Sequence, residues 1–227
     1  NAFPMGIDFN AYNQAPKQQQ VQTYSQTFRQ QLGGQKLVLS VDRLDYSKGV
    51  LHRLKGFAAA LERYPELLEQ VSLLMLLVPS RATVPEYAEL KKKIDQTIGE
   101  LNGRYATPNW TPVHYYYRSF SPDRLMALYH VADIALVTPL RDGMNLVAKE
   151  YVASKRDQPG VLILSERAGA AIELTDALLV NPNDIEAIGD AIATAVLMPE
   201  EEQLARLRRM QSLLARQNVD KWAADYI

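Results

Sequence analysis

The chain has no cysteine among its 227 residues, which excludes a disulfide framework and any thiolate metal site and suits a reducing, cytoplasmic setting. Histidine is almost as scarce. Only His52, His114 and His130 occur, far apart and without H-E-x-x-H spacing, so a metal enzyme is not expected. Charge of one sign is not in excess either: 25 Lys and Arg face 26 Asp and Glu, for a net charge of -1. No broad basic field invites nucleic acid or an anionic membrane, and any bound anion must be held locally. Long apolar runs are missing too. The longest, Val71 to Pro79, falls far short of the roughly 20 residues of a membrane helix, and no signal segment opens the chain. Three short motifs are also absent: G-x-G-x-x-G after the first strand, the phosphate loop G-x-x-x-x-G-K-[ST], and the nucleophile elbow G-x-S-x-G.

What is present is an alternation. Apolar runs at Leu37 to Val41, Val71 to Val78, Val113 to Tyr117, Ile134 to Val137, Val161 to Leu164 and Ala177 to Val180 read as strands. Most are apolar at consecutive positions, as expected of parallel strands covered on both faces. Helical periods lie between them at about Lys48 to Arg63, Pro85 to Leu101, Pro122 to Val131, Asn145 to Ser154, Ala168 to Glu173 and Ile185 to Leu197. An amphipathic helix within Ala15 to Gln35, ending at Gly33-Gly34, precedes them, and helices at Pro199 to Gln217 and Val219 to Ile227 follow. The expectation is one α/β domain over 1–227, a doubly wound parallel sheet of Rossmann-like type. The opening Asn-Ala-Phe-Pro, without an initiator Met, suggests a piece of a longer protein.

Ligands of open parallel sheets bind at the C-terminal strand ends. Four loops there each carry cations: Arg43 and Lys48 after the first strand, Arg81 after the second, Arg118 after the third, and Arg141 after the fourth. Cations at helix N-termini are unfavourable unless an anion compensates, so their recurrence points to a phosphate group. Solvated surface residues, or pairs with neighbouring Asp, are the alternative. In the run Arg141 to Glu150, Gly143 permits a tight turn and Asn145 is a plausible N-cap. The N–H groups of Met144 to Val147 would then face a diphosphate. Glu150 is placed to accept from a ribose diol, and Asp142 from hydroxyls of an attached sugar. The alternative is a capping Asp and a surface Glu paired with Lys149 or Lys155. The side chains of Met144, Leu146 and Val147 read better as core. Asp8 and Tyr12 read as turn and packing residues, and neither Trp110 nor Trp222 fits a cofactor pattern.

Four stretches together resemble the trehalose-6-phosphate synthases, retaining glycosyltransferases of family 20 with two Rossmann-like domains in the GT-B arrangement. They are Phe3 to Asp8, Val41 to Gly49, Leu136 to Val152 and Leu162 to Ala170. The resemblance implies that Arg43 and Lys48 hold the donor diphosphate and assist leaving-group departure, and that Asp142 contacts the transferred glucose. It also implies that the donor segment Gly143, Met144, Asn145, Leu146, Val147, Ala148, Lys149 and Glu150 binds phosphate and ribose, with Glu150 on the ribose. Phe120 falls beside the nucleotide and Arg81 at the phosphate of the acceptor. The implied reaction takes UDP-glucose and glucose 6-phosphate to trehalose 6-phosphate and UDP, with retention, no cofactor and no obligatory metal. The acceptor domain of that family is not in these residues, so an N-terminal domain of the same parent chain is an expected partner. Donor base, acceptor and oligomeric state are left open, a homo-oligomer included. So is a binding module without turnover that uses the same pocket, or a synthase with another acceptor such as glycerol 3-phosphate.

Overall fold

The structure, a computed structural model, describes residues 5–80, 84–217, 219 and 222. Its framework is one sheet of six parallel strands: β1 (Lys36–Arg43), β2 (Val71–Val78), β3 (Val113–Tyr116), β4 (Ile134–Val137), β5 (Val161–Ser165) and β6 (Leu178–Val180). Their order is β3-β2-β1-β4-β5-β6, the doubly wound arrangement expected from the alternation. The β1–β2 ladder is long, in register from Lys36 opposite Val71 to Arg43 opposite Val78. On the other side β1 pairs with β4 only at Val38 and Leu39.

Each strand feeds two cores by alternation of its side chains. Val38, Leu73, Met75 and Leu136 face one layer, while Leu37, Leu39, Leu74, Leu76 and Val137 face the other. Helices α3 (Val50–Arg63), α4 (Pro85–Tyr105) and α7 (Ile185–Leu197) cover the first face. The second carries α1 (Phe9–Gln14), α2 (Gln19–Leu32), α5 (Pro122–Val131), α6 (Leu146–Ser154) and α8 (Glu200–Arg216). The chain after β1 therefore leaves for one face and the chain after β4 for the other. Between those two adjacent strands the loops diverge and a crevice opens.

Three elements depart from expectation, each for a local reason. The helix expected within Ala15 to Gln35 is present but starts only at Gln19, because Pro16 sits in a 3-10 turn at Ala15–Lys17 and Gln18 is extended before α2 begins. An additional helix, α1, precedes that turn, capped by Asp8, whose carboxylate accepts from the Ala11 N–H at 2.9 Å. Ala168 to Glu173 is only a 3-10 turn at Gly169–Ile172, since two N–H groups in it are taken by the neighbouring loop: Gly169 donates to the Asp142 carbonyl at 3.1 Å and Ala170 to that of Met144 at 2.8 Å. The expected end of α2 is kept, with Gly33 left-handed at φ 58°. The last expected helix, Val219 to Ile227, lies mostly outside the described residues. Among the described residues no helix is long and apolar enough to cross a membrane.

Candidate functional site

The crevice at the β1/β4 switch is a cleft of about 440 Å³ walled by Val41, Asp42, Arg43, Lys48, Leu125, Tyr129, Asp142, Met144 to Val147 and Glu150. Its β1 side rests on a buried ion pair. Arg53, on the second turn of α3 and 0% exposed, meets Asp42 at 2.6 Å and the Ser40 hydroxyl at 2.5 Å, and donates as well to the Lys48 carbonyl. Burial pushes the Asp42 carboxyl above its ordinary range, against the opposing pull of Arg53 and Lys48. The turn carrying Lys48 is closed by Asp45, which accepts from the Ser47 N–H at 2.8 Å. It is then sewn to the β4 loop, where the Leu140 N–H donates to the Ser47 carbonyl at 2.8 Å. Gly49 completes the seam at φ 68°; a Cβ there would lie 2.6 Å from the Thr138 carbonyl oxygen.

On the β4 side, Asn145 caps α6 as expected, its side-chain oxygen accepting from the Ala148 N–H at 3.2 Å. The left-handed backbone of the loop falls at Asn145, φ 75°, rather than at Gly143. Asp142 ties the two sides of the cleft together. It receives Lys48 at 2.5 Å, the Asn145 amide at 3.1 Å and the Met144 N–H at 3.3 Å. The Met144 N–H is thus committed to Asp142 and that of Ala148 to the cap. The helix-start donors open to a ligand narrow from Met144 to Val147 to those of Asn145, Leu146 and Val147, which line the cleft.

Gly169 holds the β4 loop in place from the β5 side. A Cβ on it would stand 2.1 Å from the Gly143 carbonyl oxygen and 3.2 Å from the Met144 Cα. Gly169→Ala is therefore expected to displace the loop and lower stability by about 1–3 kcal/mol. A thermal melt and a nucleotide titration of the variant check this, and an unchanged pair of curves would contradict it.

Glu150 faces the cleft and accepts a hydrogen bond from the buried Tyr129 phenol at 2.9 Å. Neither alternative partner engages it. Lys149 is fully buried and turned away, pairing with Glu173 at 2.7 Å and donating to the Met5 carbonyl at 2.8 Å. Its side chain cannot be a donor ligand, and only its backbone belongs to the segment. Lys155 donates to the carbonyls of His130 and Ala132, and burial brings its pKa down to about 7.

The loop cations do not all converge. Arg43 and Lys48 line the cleft, and Arg43 is exposed without an ion-pair partner among the described residues. Arg118 instead lies over the rings of Tyr116 and Phe120, at 5.1 and 5.4 Å. Arg141 is exposed and outside the lining, and the acceptor-phosphate position Arg81 lies outside the described residues. Phe120 is not a wall of the cleft either; it packs on Tyr116 at 5.4 Å, with the Arg124 guanidinium 4.2 Å from its ring centre. Sequence reasoning missed Asp42, Arg53 and Tyr129. The signal for Asp42 was its place at the end of β1. Arg53 and Tyr129 carry no local signal, being single polar positions within helical periods.

Fold and site together define a Rossmann-like α/β domain whose cleft at the β1/β4 switch is lined by two cations and three carboxylates. Glycosyltransferase family 20 matches residues 1–227 from end to end, and the chain belongs to that family. It is 48% identical over 225 residues to a bifunctional trehalose-6-phosphate synthase/phosphatase of Thermoproteus tenax, covering 99% of this chain and 31% of that protein. With a trehalose-6-phosphate synthase of Mycobacterium ulcerans it shares 42% identity, covering 100% of this chain and 45% of the relative. Among solved structures, an alpha,alpha-trehalose-phosphate synthase (UDP-forming) from Burkholderia xenovorans in complex with glucose-6-phosphate superposes with a TM-score of 0.96 at 40% identity. That match takes in 100% of this chain and 50% of the other. An E. coli structure bound with UDP-2-fluoro glucose gives 0.95 at 35% identity, again over 100% of this chain and 50% of that one. The chain thus spans about half the length of these solved structures, and less of the longer relatives.

Proposed function

We propose that this chain is the donor-binding half of a retaining glycosyltransferase that transfers glucose from UDP-glucose to glucose 6-phosphate, giving trehalose 6-phosphate and UDP. The observation that carries the reading is the convergence, in one cleft, of Arg43, Lys48, the start of α6 and two carboxylates, Asp142 and Glu150. Two cations and the three free N–H groups of Asn145 to Val147 suit a diphosphate leaving group, whose developing charge they stabilise without a metal. Glu150 then accepts from the ribose and Asp142 from the glucose. Phe120, packed on Tyr116 outside the cleft wall, is assigned to the nucleotide's outer edge, and Arg81 is assigned to the acceptor phosphate. The acceptor pocket is completed by an N-terminal domain of the parent chain, and the absence of cysteine fits a cytoplasmic enzyme.

Calorimetric titration with UDP, ADP and GDP in the presence of a chelator tests this. UDP is expected to bind the 227-residue chain more tightly than the other two, unaffected by the chelator. Loss of one charge-assisted contact in Arg43→Ala or Glu150→Ala is expected to weaken UDP about tenfold. Equal affinities across both variants and the wild type would sink the site. Mixed with UDP-glucose and glucose 6-phosphate, the isolated chain is expected to show no steady turnover.

A further inference from the structure

Tyr129 belongs to the cleft without being a candidate ligand. It is a large buried side chain on α5, 1% exposed, whose hydroxyl meets Glu150 Oε2 at 2.9 Å across the gap between α5 and α6. A carboxylate has two oxygens, and this contact commits one of them. An unrestrained Glu on the first turns of a helix samples several rotamers. Here the Tyr129 phenol fixes Oε2, the Tyr12 phenol also lies against the carboxylate, and the residue so held lines the cleft. The ring of Tyr12, from α1, leans on that of Tyr129 with centres 6.5 Å apart and planes inclined at 50°, and its phenol interacts with the same Glu150 carboxylate. Three elements, α1, α5 and α6, therefore meet at the Glu150 carboxylate.

We propose that Tyr129 is a positioning residue that orients Glu150, and that recognition of the nucleotide's ribose diol depends on it. The inference rests on the reading of Glu150 as the ribose ligand. Burial and the adjacent Glu150 charge both drive the Tyr129 phenol well above its usual pKa, so it stays protonated and can only donate to the carboxylate. Tyr12 is pushed in the same direction by burial and then by Glu150. With both phenols protonated, the carboxylate is held in one orientation across the physiological pH range.

A merely structural Tyr129, present because a buried hydroxyl needs some partner, would affect all nucleotides alike. The discriminating pair of probes is UDP and 2′,3′-dideoxy-UDP, titrated into the wild type, Tyr129→Phe, Tyr12→Phe, Glu150→Ala and the Tyr129→Phe/Glu150→Ala double variant. Tyr129→Phe is expected to weaken UDP about three- to tenfold, in line with loss of one hydrogen bond, while leaving dideoxy-UDP unchanged. In the Glu150→Ala background the same substitution is expected to have no further effect on either. Tyr12→Phe, which keeps the ring but removes the second phenol beside Glu150, is expected to weaken UDP in the same sense and by no more than Tyr129→Phe. If Glu150→Ala removes discrimination but Tyr129→Phe keeps it in full, the positioning role is overturned and the ribose reading stands. If Glu150→Ala itself leaves discrimination intact, both fall. Equal weakening of the two probes by Tyr129→Phe marks a structural role and also overturns the proposal.

Discussion

Arg53→Met is expected to cost the folded chain about 3–5 kcal/mol, the penalty for breaking a buried ion pair from one side. Asp42 is the reason. Its side chain is only 5% exposed, and Arg53 is its ion-pair partner at 2.6 Å. Burial already disfavours the Asp42 charge, so removal of the guanidinium leaves a carboxylate that must either protonate or draw water into the base of the cleft. The damage extends beyond the pair, because the same guanidinium reaches the Ser40 hydroxyl and the Lys48 carbonyl. A denaturant series measures the loss, and UDP affinity is expected to fall with it as the Lys48 turn loosens. The double variant Asp42→Asn/Arg53→Met is expected to regain part of the stability, since no charge is left stranded. An unfolding free energy for Arg53→Met within about 1 kcal/mol of the wild type would mean that the pair is solvated and does not support the cleft.

Arg53 also marks where the sequence stops being legible. The sheet could be read because its strands are short apolar runs between strong punctuation: Gly33-Gly34 before β1, Asn145 before α6, Pro122 at the head of α5. That alternation placed the site only at the C-terminal strand ends, and it is the strand order of the folded sheet that sets the crevice between β1 and β4. Direction of side chains did not follow. Arg43 and Arg118 both stand in strand-end loops, yet Arg43 lines the cleft while Arg118 lies on two aromatic rings. Charge at a loop says nothing of which contact wins. Lys149 stands beside Glu150 in sequence, but a helix turns adjacent residues about 100° apart, and Lys149 is carried into the interior to meet Glu173. The turn at Gly169–Ile172 was unreadable for a further reason: its hydrogen bonds go to a loop more than twenty residues away, and tertiary contacts override the local helical pattern.

Substitutions at the two ends of the Lys48–Asp142 pair are expected to act in opposite directions on UDP binding. The two groups neutralise each other at 2.5 Å, each with 15% of its side chain exposed, and Asn145 holds the same carboxylate oxygen at 3.1 Å. A diphosphate entering the cleft must compete with Asp142 for Lys48. Asp142→Asn removes the competitor and a like charge, so UDP is expected to bind more tightly, by roughly tenfold for a change near 1.4 kcal/mol. The glucose moiety loses its proposed acceptor in that variant, so UDP-glucose is expected to gain less than UDP. Lys48→Ala does the reverse, removing a cation and leaving Asp142 uncompensated before the phosphates. On the proposed donor reading this lysine would face, in the parent enzyme, charge that grows as the sugar–phosphate bond breaks, and loss of one such preorganised donor is expected to lower kcat by about 10²–10³-fold. The measurements are paired titrations of UDP and UDP-glucose for the isolated chain, and turnover of the whole parent carrying Lys48→Ala. Weaker UDP binding by Asp142→Asn would show that the carboxylate supports the nucleotide instead of competing with it. A kcat within a factor of a few of wild type in Lys48→Ala would remove Lys48 from the chemical step and leave leaving-group stabilisation to Arg43 and the start of α6.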